Sequence, residues 1–223
     1  MSVITIEKKI LEKNDLIAAN NRDFFNEKKI FVINILSSPG SGKTSLIERS
    51  LARWGKKIKF GIIEGDVQTD LDAQRLDVFK VPVVQIVTNG ACHLDANLVR
   101  DAYSSIEKEE IELLIIENVG NLVCPAGFDL GEHIKVVVTS ITEGDDKPLK
   151  YPSVFRNSSV LIINKTDLLP HVNSSLAKLK KNALSINPSL KIFETSCVTD
   201  DGIDKWCKWL KTQINKNESS TFY

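Results

Sequence analysis

The chain has 223 residues, 42% of them hydrophobic, enough to bury one substantial core but too few for two full domains. Its 29 basic residues balance 29 acidic ones, and no dense Lys/Arg stripe with interleaved aromatics occurs, so the footprint of a nucleic-acid binder is missing. No run approaches the roughly 20 apolar residues that span a bilayer, and the opening MSVITIEKKILEKND lacks the apolar heart of a secretory signal, so a cytoplasmic protein is expected, with no membrane or nucleic-acid partner and with reduced cysteines.

Residues 4–25 place Ile10, Ile17 and Phe24 on one track and Leu11, Ala18 and Phe25 on the next, the spacing of an amphipathic helix. This helix is expected to pack on the domain's flank, within an N-terminal segment spanning residues 1–29. Short apolar strands are predicted at 30–36, 59–63, 83–87, 113–116, 134–139, 159–163 and 191–194, with helical segments between them. That alternation is the βαβ pattern of an α/β fold, a mostly parallel β-sheet flanked by helices on both faces. Several strands are unbroken runs of Ile, Val and Leu, as strands buried on both faces should be. One domain over 30–215 is expected, then a polar tail at 216–223 that frays. Ligands in such folds gather at the carboxyl ends of the strands, where the following motifs fall.

The first strand runs into SSPGSGKTS, residues 37–45, and an apolar helical stripe through Ile47, Leu51 and Trp54 follows. Strand, glycine-rich turn and helix form the context of a P-loop NTPase. Pro39, Gly40, Ser41, Gly42, Lys43, Thr44 and Ser45 are expected to bind the nucleotide. Backbone N–H groups around Gly40, Ser41 and Gly42 would cradle the phosphates at the helix N-terminus. Lys43 would reach the β- and γ-phosphates, and the Thr44 hydroxyl would ligate Mg²⁺. The pattern G-x4-G-K-[ST] is not fully met, because Ser37 stands where its first glycine belongs.

Two acids would complete a hydrolytic site. Glu117 closes the strand IELLII and precedes Asn118, Val119 and Gly120, so ENVG takes the place of the D-x-x-G phosphate sensor. Glu117 would hold Mg²⁺ through water, and the Gly120 amide would sense the γ-phosphate. Asp66, in EGDVQTD, would polarise the attacking water or complete the magnesium shell. Either acid alone could merely cap a helix; together with Lys43 they favour hydrolysis.

NKTD, residues 164–167, closes the strand SSVLII and is expected to read guanine. Asp167 would accept hydrogen bonds from N1–H and the exocyclic amine, a donor pair that adenine lacks. Lys165 would lay its stem along the ring, and Asn164 would tie this loop to the P-loop. ETSC, residues 194–197, would cap the guanine carbonyl with the Ser196 and Cys197 amides. The sulfurs of Cys197 and Cys207 are expected to be packed side chains.

Cys92 and His93 sit in a glycine-containing loop, NGACHLDA, after the third strand, and Cys124 follows Glu117 in ENVGNLVCP. Neighbouring side chains of an extended strand point apart, so Cys92 and His93 share one ion only from a turn, which Gly90 makes available. Two thiolates and an imidazole suit Zn²⁺ or Ni²⁺ rather than Mg²⁺ or Ca²⁺, and three ligands leave a position open for transfer. Spacing alone also allows packed core thiols and a loop histidine. Asp95 and His133 are possible supports of the site or exposed residues, and His171 is expected at the surface.

SSPGSGKTS, EGDVQTDLDA, NGACHLDA, ENVGNLVCPAGFDLGEH and NKTDLLP, in this order, resemble the HypB family of nickel-incorporation GTPases over about residues 30–210. The resemblance implies a SIMIBI-type GTPase fold that dimerises in a GTP-dependent way and hydrolyses GTP to GDP slowly. It also implies nickel loading of [NiFe]-hydrogenase, with the metallochaperone HypA and the hydrogenase large-subunit precursor as partners. Cys92, His93 and Cys124 match the family's metal site, and Lys43, Thr44 and Asp167 its nucleotide positions. No Cys or His precedes residue 92, unlike the Cys- or His-rich leaders of many members, so the internal site is expected to carry the transferable metal by itself. Two other readings stand beside this one: a urease-type accessory GTPase, which would show a Cys-Pro-His motif, and a GTP-binding interaction module with a structural zinc.

Overall fold

A computed structural model describes residues 6–67 and 71–220. Its first half runs α1 (Ile6–Glu27), β1 (Phe31–Ser37), α2 (Lys43–Trp54), β2 (Phe60–Asp66), α3 (Leu71–Asp77), β3 (Val83–Val87), α4 (Ala96–Ser104) and β4 (Leu113–Glu117). The second half runs β5 (Ile134–Ser140), α5 (Lys147–Lys150), α6 (Pro152–Arg156), β6 (Val160–Asn164), α7 (Leu176–Ile186), β7 (Lys191–Glu194) and α8 (Ile203–Ser220). Among the described residues no helix is long and apolar enough to cross a membrane.

Burial on both faces of the central strand organises the layers. Every residue of β1 is buried, and alternation sends successive side chains to opposite sides. Phe31, Ile33 and Ile35 pack with Leu46, Ile47 and Leu51 of α2 and with Trp206 and Leu210 of α8. On the other side, Val32 packs with Phe25 of α1 and Tyr103 of α4, and Leu36 with Phe155 of α6 and Leu179 of α7. Truncating a fully buried residue such as Ile33 to Ala would cost about 2–5 kcal/mol.

The seven strands lie in the order β3-β2-β4-β1-β5-β6-β7, and every adjacent pair is parallel. The expected α/β architecture is therefore observed. After β3 the chain returns to insert β4 beside β1, then continues to β5 on the far side of β1, and this reversal opens a crevice at the strands' carboxyl ends.

Element ends differ from the sequence expectation by a few residues. The strand expected at 59–63 runs to Asp66, which places that acid inside β2 rather than beyond it. The first helix covers Ile6–Glu27, and positions 4 and 5 lie outside the described residues. The last helix continues to Ser220, beyond the domain end expected at 215.

Candidate functional site

The carboxyl ends of β1, β2 and β4 surround a cavity of about 510 Å³, within the roughly 300–1,000 Å³ of small-ligand sites. Pro39, Gly40, Gly42, Lys43, Thr44 and Ser45 line it from the turn and α2, Glu64 and Asp66 from β2, and Glu117, Val119 and Gly120 from the end of β4. Gly42 has a φ of 98°, and a Cβ there would stand 2.4 Å from Asn164 Nδ2, so glycine is required. A Cβ on Gly120 would meet the Pro39 backbone nitrogen at 3.2 Å; the ENVG corner and the P-loop are thus in direct contact.

Lys43 Nζ donates to Ser37 Oγ at 3.2 Å and lies 3.9 Å from Glu117 Oε1. The Thr44 hydroxyl donates to that same carboxylate oxygen at 2.8 Å. Ser37, the residue that breaks the glycine pattern, therefore helps hold the P-loop lysine. Glu64 pairs in register with Glu117 and, two residues from Asp66, shares its side of β2. Three carboxylates thus converge on the cavity, facing Lys43 and Arg75. Such a cluster of hard oxygen donors fits Mg²⁺.

Ser41, expected to offer its backbone N–H, is not among the residues lining the cavity. It is buried, and its hydroxyl lies 2.9 Å from the Ser38 carbonyl and 2.6 Å from Glu143 Oε1. Glu143 also accepts the Ser140 N–H at 2.8 Å. Burial pushes the Glu143 carboxyl up, but its bonds from Ser41, Ser140 and Lys147 prevail and hold it below the usual carboxylate range. The Ser41 side chain thereby fastens the P-loop to the turn after β5.

Asn164 Nδ2 donates to the Ser41 carbonyl at 3.0 Å, and its oxygen faces Thr195 Oγ1 at 3.1 Å and Cys197 Sγ at 3.5 Å. It ties three loops together. Lys165, left-handed at φ 60°, donates from Nζ to the Gly40 carbonyl at 2.7 Å. Asp167 Oδ1 is buried with no hydrogen-bond partner, an acceptor suited to the paired donors of guanine. The cavity takes in Lys165 but not Asp167, Ser196 or Cys197. The Ser196 amide does not offer the free donor that sequence suggests, because it donates to the Asp201 carbonyl at 3.0 Å. Burial pushes the Cys197 and Cys207 thiols up to about 11, which fits packed side chains.

The loop after β3 and the turn after β4 bring Cys92, His93 and Cys124 together, with ligand atoms all within 4.8 Å of one another. Cys92 Sγ lies 3.6 Å from His93 Nδ1, and the His93 ring rests on Phe128 with centroids 3.9 Å apart. Burial holds the His93 pKa below its ordinary value, which favours the neutral, ligating imidazole. The neighbouring Cys124 thiol, followed by burial, pushes the Cys92 thiol up; a soft divalent cation would relieve that crowding by binding both sulfurs.

Asp95 and His133 have other work. Asp95 caps α4, accepting the Leu98 N–H at 2.8 Å. His133 Nδ1 accepts the Val32 N–H at 2.9 Å and Nε2 lies 2.9 Å from Asn26 Oδ1, so it joins β1 to α1 rather than supporting the metal ligands. His171 is exposed.

The segment between Glu117 and Cys124 links the two sites. Asn118 Oδ1 accepts the Leu94 N–H at 3.2 Å, and Asn121 Nδ2 donates to the Cys92 carbonyl at 3.4 Å, so the two asparagines bracket His93. Sequence reasoning missed both, and also Glu64, Arg75 and Glu143. For Glu64 a signal existed, an acid inside the apolar run FGIIEG; the others are ordinary polar residues until the fold places them.

The family description "CobW/HypB/UreG, nucleotide-binding domain" matches residues 31–194. The hydrogenase maturation factor HypB of Azotobacter vinelandii is 47% identical over 211 residues, covering 95% of this chain and 70% of that protein. The HypB crystal structure from Archaeoglobus fulgidus superposes with a TM-score of 0.85 at 39% identity, covering 92% of this chain and all of that one. HypB from Helicobacter pylori, solved in complex with nickel, gives 0.88 at 37% identity over 92% of this chain and 96% of that one. The chain belongs to the CobW/HypB/UreG nucleotide-binding family, within its HypB branch.

Proposed function

We propose that this protein is a GTP-hydrolysing metallochaperone that couples its nucleotide state to binding of nickel, or zinc, for hydrogenase maturation in the cytosol. Gly40, Gly42 and Lys43 would hold the phosphates, Thr44, Asp66 and Glu117 a magnesium ion that neutralises phosphate charge, and Asp167 the guanine edge. Hydrolysis would join a water oxygen to the γ-phosphorus, break the bond to the β-bridging oxygen, and leave GDP and phosphate. Lys43 would stabilise the charge on the transferred group, the Gly120 amide would bond to it, and Asp66 would orient the water. Residues 1–29, which contain α1, would form a segment added to a GTPase domain spanning 30–215.

The observation that carries this reading is the short segment from Glu117 to Cys124. It begins on the carboxylate bonded to Thr44, grips both sides of His93 through Asn118 and Asn121, and ends on a metal-ligand candidate. The nickel complex of the Helicobacter pylori relative supports nickel as the cargo. A GTP-dependent homodimer, HypA and the hydrogenase large-subunit precursor are the partners we propose. Three clustered donors among the described residues leave a coordination position open, which suits transfer better than a closed structural zinc site. CHLDA and VCPAG, in place of Cys-Pro-His, disfavour the urease-type alternative.

The test is the Ni²⁺ affinity of the GTP-analogue and GDP forms at fixed protein concentration. Different affinities are expected, because only differential binding lets nucleotide state drive metal. Equal affinities would reject the coupling.

A further inference from the structure

We propose that α1 is a splint for the two metal-bearing loops, with Asn14 and Asn21 as positioning residues that fix the Cys92–His93 loop against the Cys124 turn. This rests on the metal-site reading above. The two asparagines are about two helical turns apart, on one face of α1, and are only 5% and 1% exposed. Each bridges the first residue of α4, just after the Cys92–His93 loop, to the segment just after the Cys124 turn. Asn14 accepts the Ala96 N–H at 2.9 Å and donates to the Asp129 carbonyl at 2.7 Å. Asn21 donates to the Ala96 carbonyl at 2.7 Å and to the Leu130 carbonyl at 3.2 Å. Ala96 is thus held at both its N–H and its carbonyl, shortly after His93, while Asp129 and Leu130 are held shortly after Cys124.

Two further contacts stiffen the arrangement. Arg22 Nη2 donates to both carboxylate oxygens of Asp129, each at 2.7 Å. Gly131, at φ 89°, lies so close to α1 that a Cβ would stand 2.6 Å from that of Asn21. Phe128, beside Asp129, carries the ring on which His93 rests. A helix needing only to cover the sheet would present apolar side chains here; buried carboxamides bonded to the backbone where each loop ends set the loops' separation. Metal sites tolerate only about ±0.2 Å in ligand distance, so that separation bears on affinity.

The experiment uses the full chain bound to GDP, with Ni²⁺ alone as the probe, and compares it with Asn14→Ala and Asn21→Ala. Affinity is followed together with the thiolate-to-nickel charge-transfer absorption, and GDP affinity and thermal unfolding report on the fold. Each variant is expected to weaken Ni²⁺ binding about ten- to a hundred-fold, the range for residues that orient metal ligands, and to alter the absorption spectrum, with GDP affinity unchanged. Variants that keep the unaltered affinity and spectrum overturn the splint while leaving the metal site intact. Loss of GDP binding or of the folded state in both variants identifies a purely structural role and also overturns it. If the unmodified protein binds no Ni²⁺, the metal-site reading itself fails.

Discussion

The side-chain oxygen of Asn118 accepts the backbone N–H of Leu94 at 3.2 Å, joining the residue after Glu117 to the residue after His93. Its amide nitrogen faces Asn34 Oδ1 at 3.3 Å, so the carboxamide is held on both sides within the sheet's carboxyl edge. Movement of the ENVG corner on phosphate binding would pull on the metal loop through this bond. Asn118→Ala is therefore expected to bring the Ni²⁺ affinities of the GTP-analogue and GDP forms together, removing a coupling of the usual size, about 1–3 kcal/mol. GDP affinity should persist. An undiminished affinity ratio in the variant would place the linkage elsewhere.

Gly42 and Gly40 both have positive φ, but their surroundings differ. A Cβ at Gly42 would collide with the Asn164 amide at 2.4 Å, whereas one at Gly40 has nothing within 4 Å. Both substitutions to Ala meet the left-handed penalty of about 1–2 kcal/mol, and only Gly42→Ala also displaces Asn164 from Ser41. GDP affinity should consequently fall by about tenfold or more in Gly42→Ala and by clearly less in Gly40→Ala. Isothermal titration with GDP decides it, and equal losses would contradict the steric account.

Asp167 Oδ1 is a buried acceptor without a partner. Asp167→Asn replaces part of a charged acceptor pair with a donor and would leave guanine N–H groups unsatisfied, at a cost of about 1–3 kcal/mol. GTP affinity should drop correspondingly, while ATP binding stays weak in both proteins. Effective competition by ATP against GTP in the unmodified protein would refute the assignment of this loop to guanine.

Contiguous motifs were legible because their chemistry needs no partner from elsewhere: PGSGKT and NKTD each sit on one strand end, and the apolar runs before them identify the strands. The approach of Cys124 to Cys92 and His93 was legible only as a shared sheet edge, and required the order β3-β2-β4 to become a cluster. Glu64 is marked in the sequence only as an acid inside an apolar run; its role depends on its register with Glu117, which periodicity along one strand cannot supply. The amphipathic reading of α1 misled in detail. Ile10, on an apolar track, is 53% exposed, whereas Asn14 and Asn21 are buried, since backbone groups of two distant loops meet the helix there.

His133 provides a test of stability against pH. Its ring stacks on Phe31 with centroids 5.0 Å apart, Nδ1 accepts the Val32 N–H, and Nε2 faces Asn26 Oδ1; Arg22 is the charged neighbour. Burial, followed by the Arg22 charge, lowers the pKa to about 4. The unfolded chain takes up this proton near pH 6.5, so between roughly pH 6.5 and 4 it binds more protons than the folded protein. The contribution of neutral His133 is therefore complete above that window and is lost as pH falls through it, by up to about 1.4 kcal/mol per pH unit. Urea unfolding at about pH 7 and pH 5 should show lower stability in acid, and His133→Gln, which has no titrating ring, should show a smaller difference. If both proteins lose the same stability between those pH values, His133 is not the group responsible.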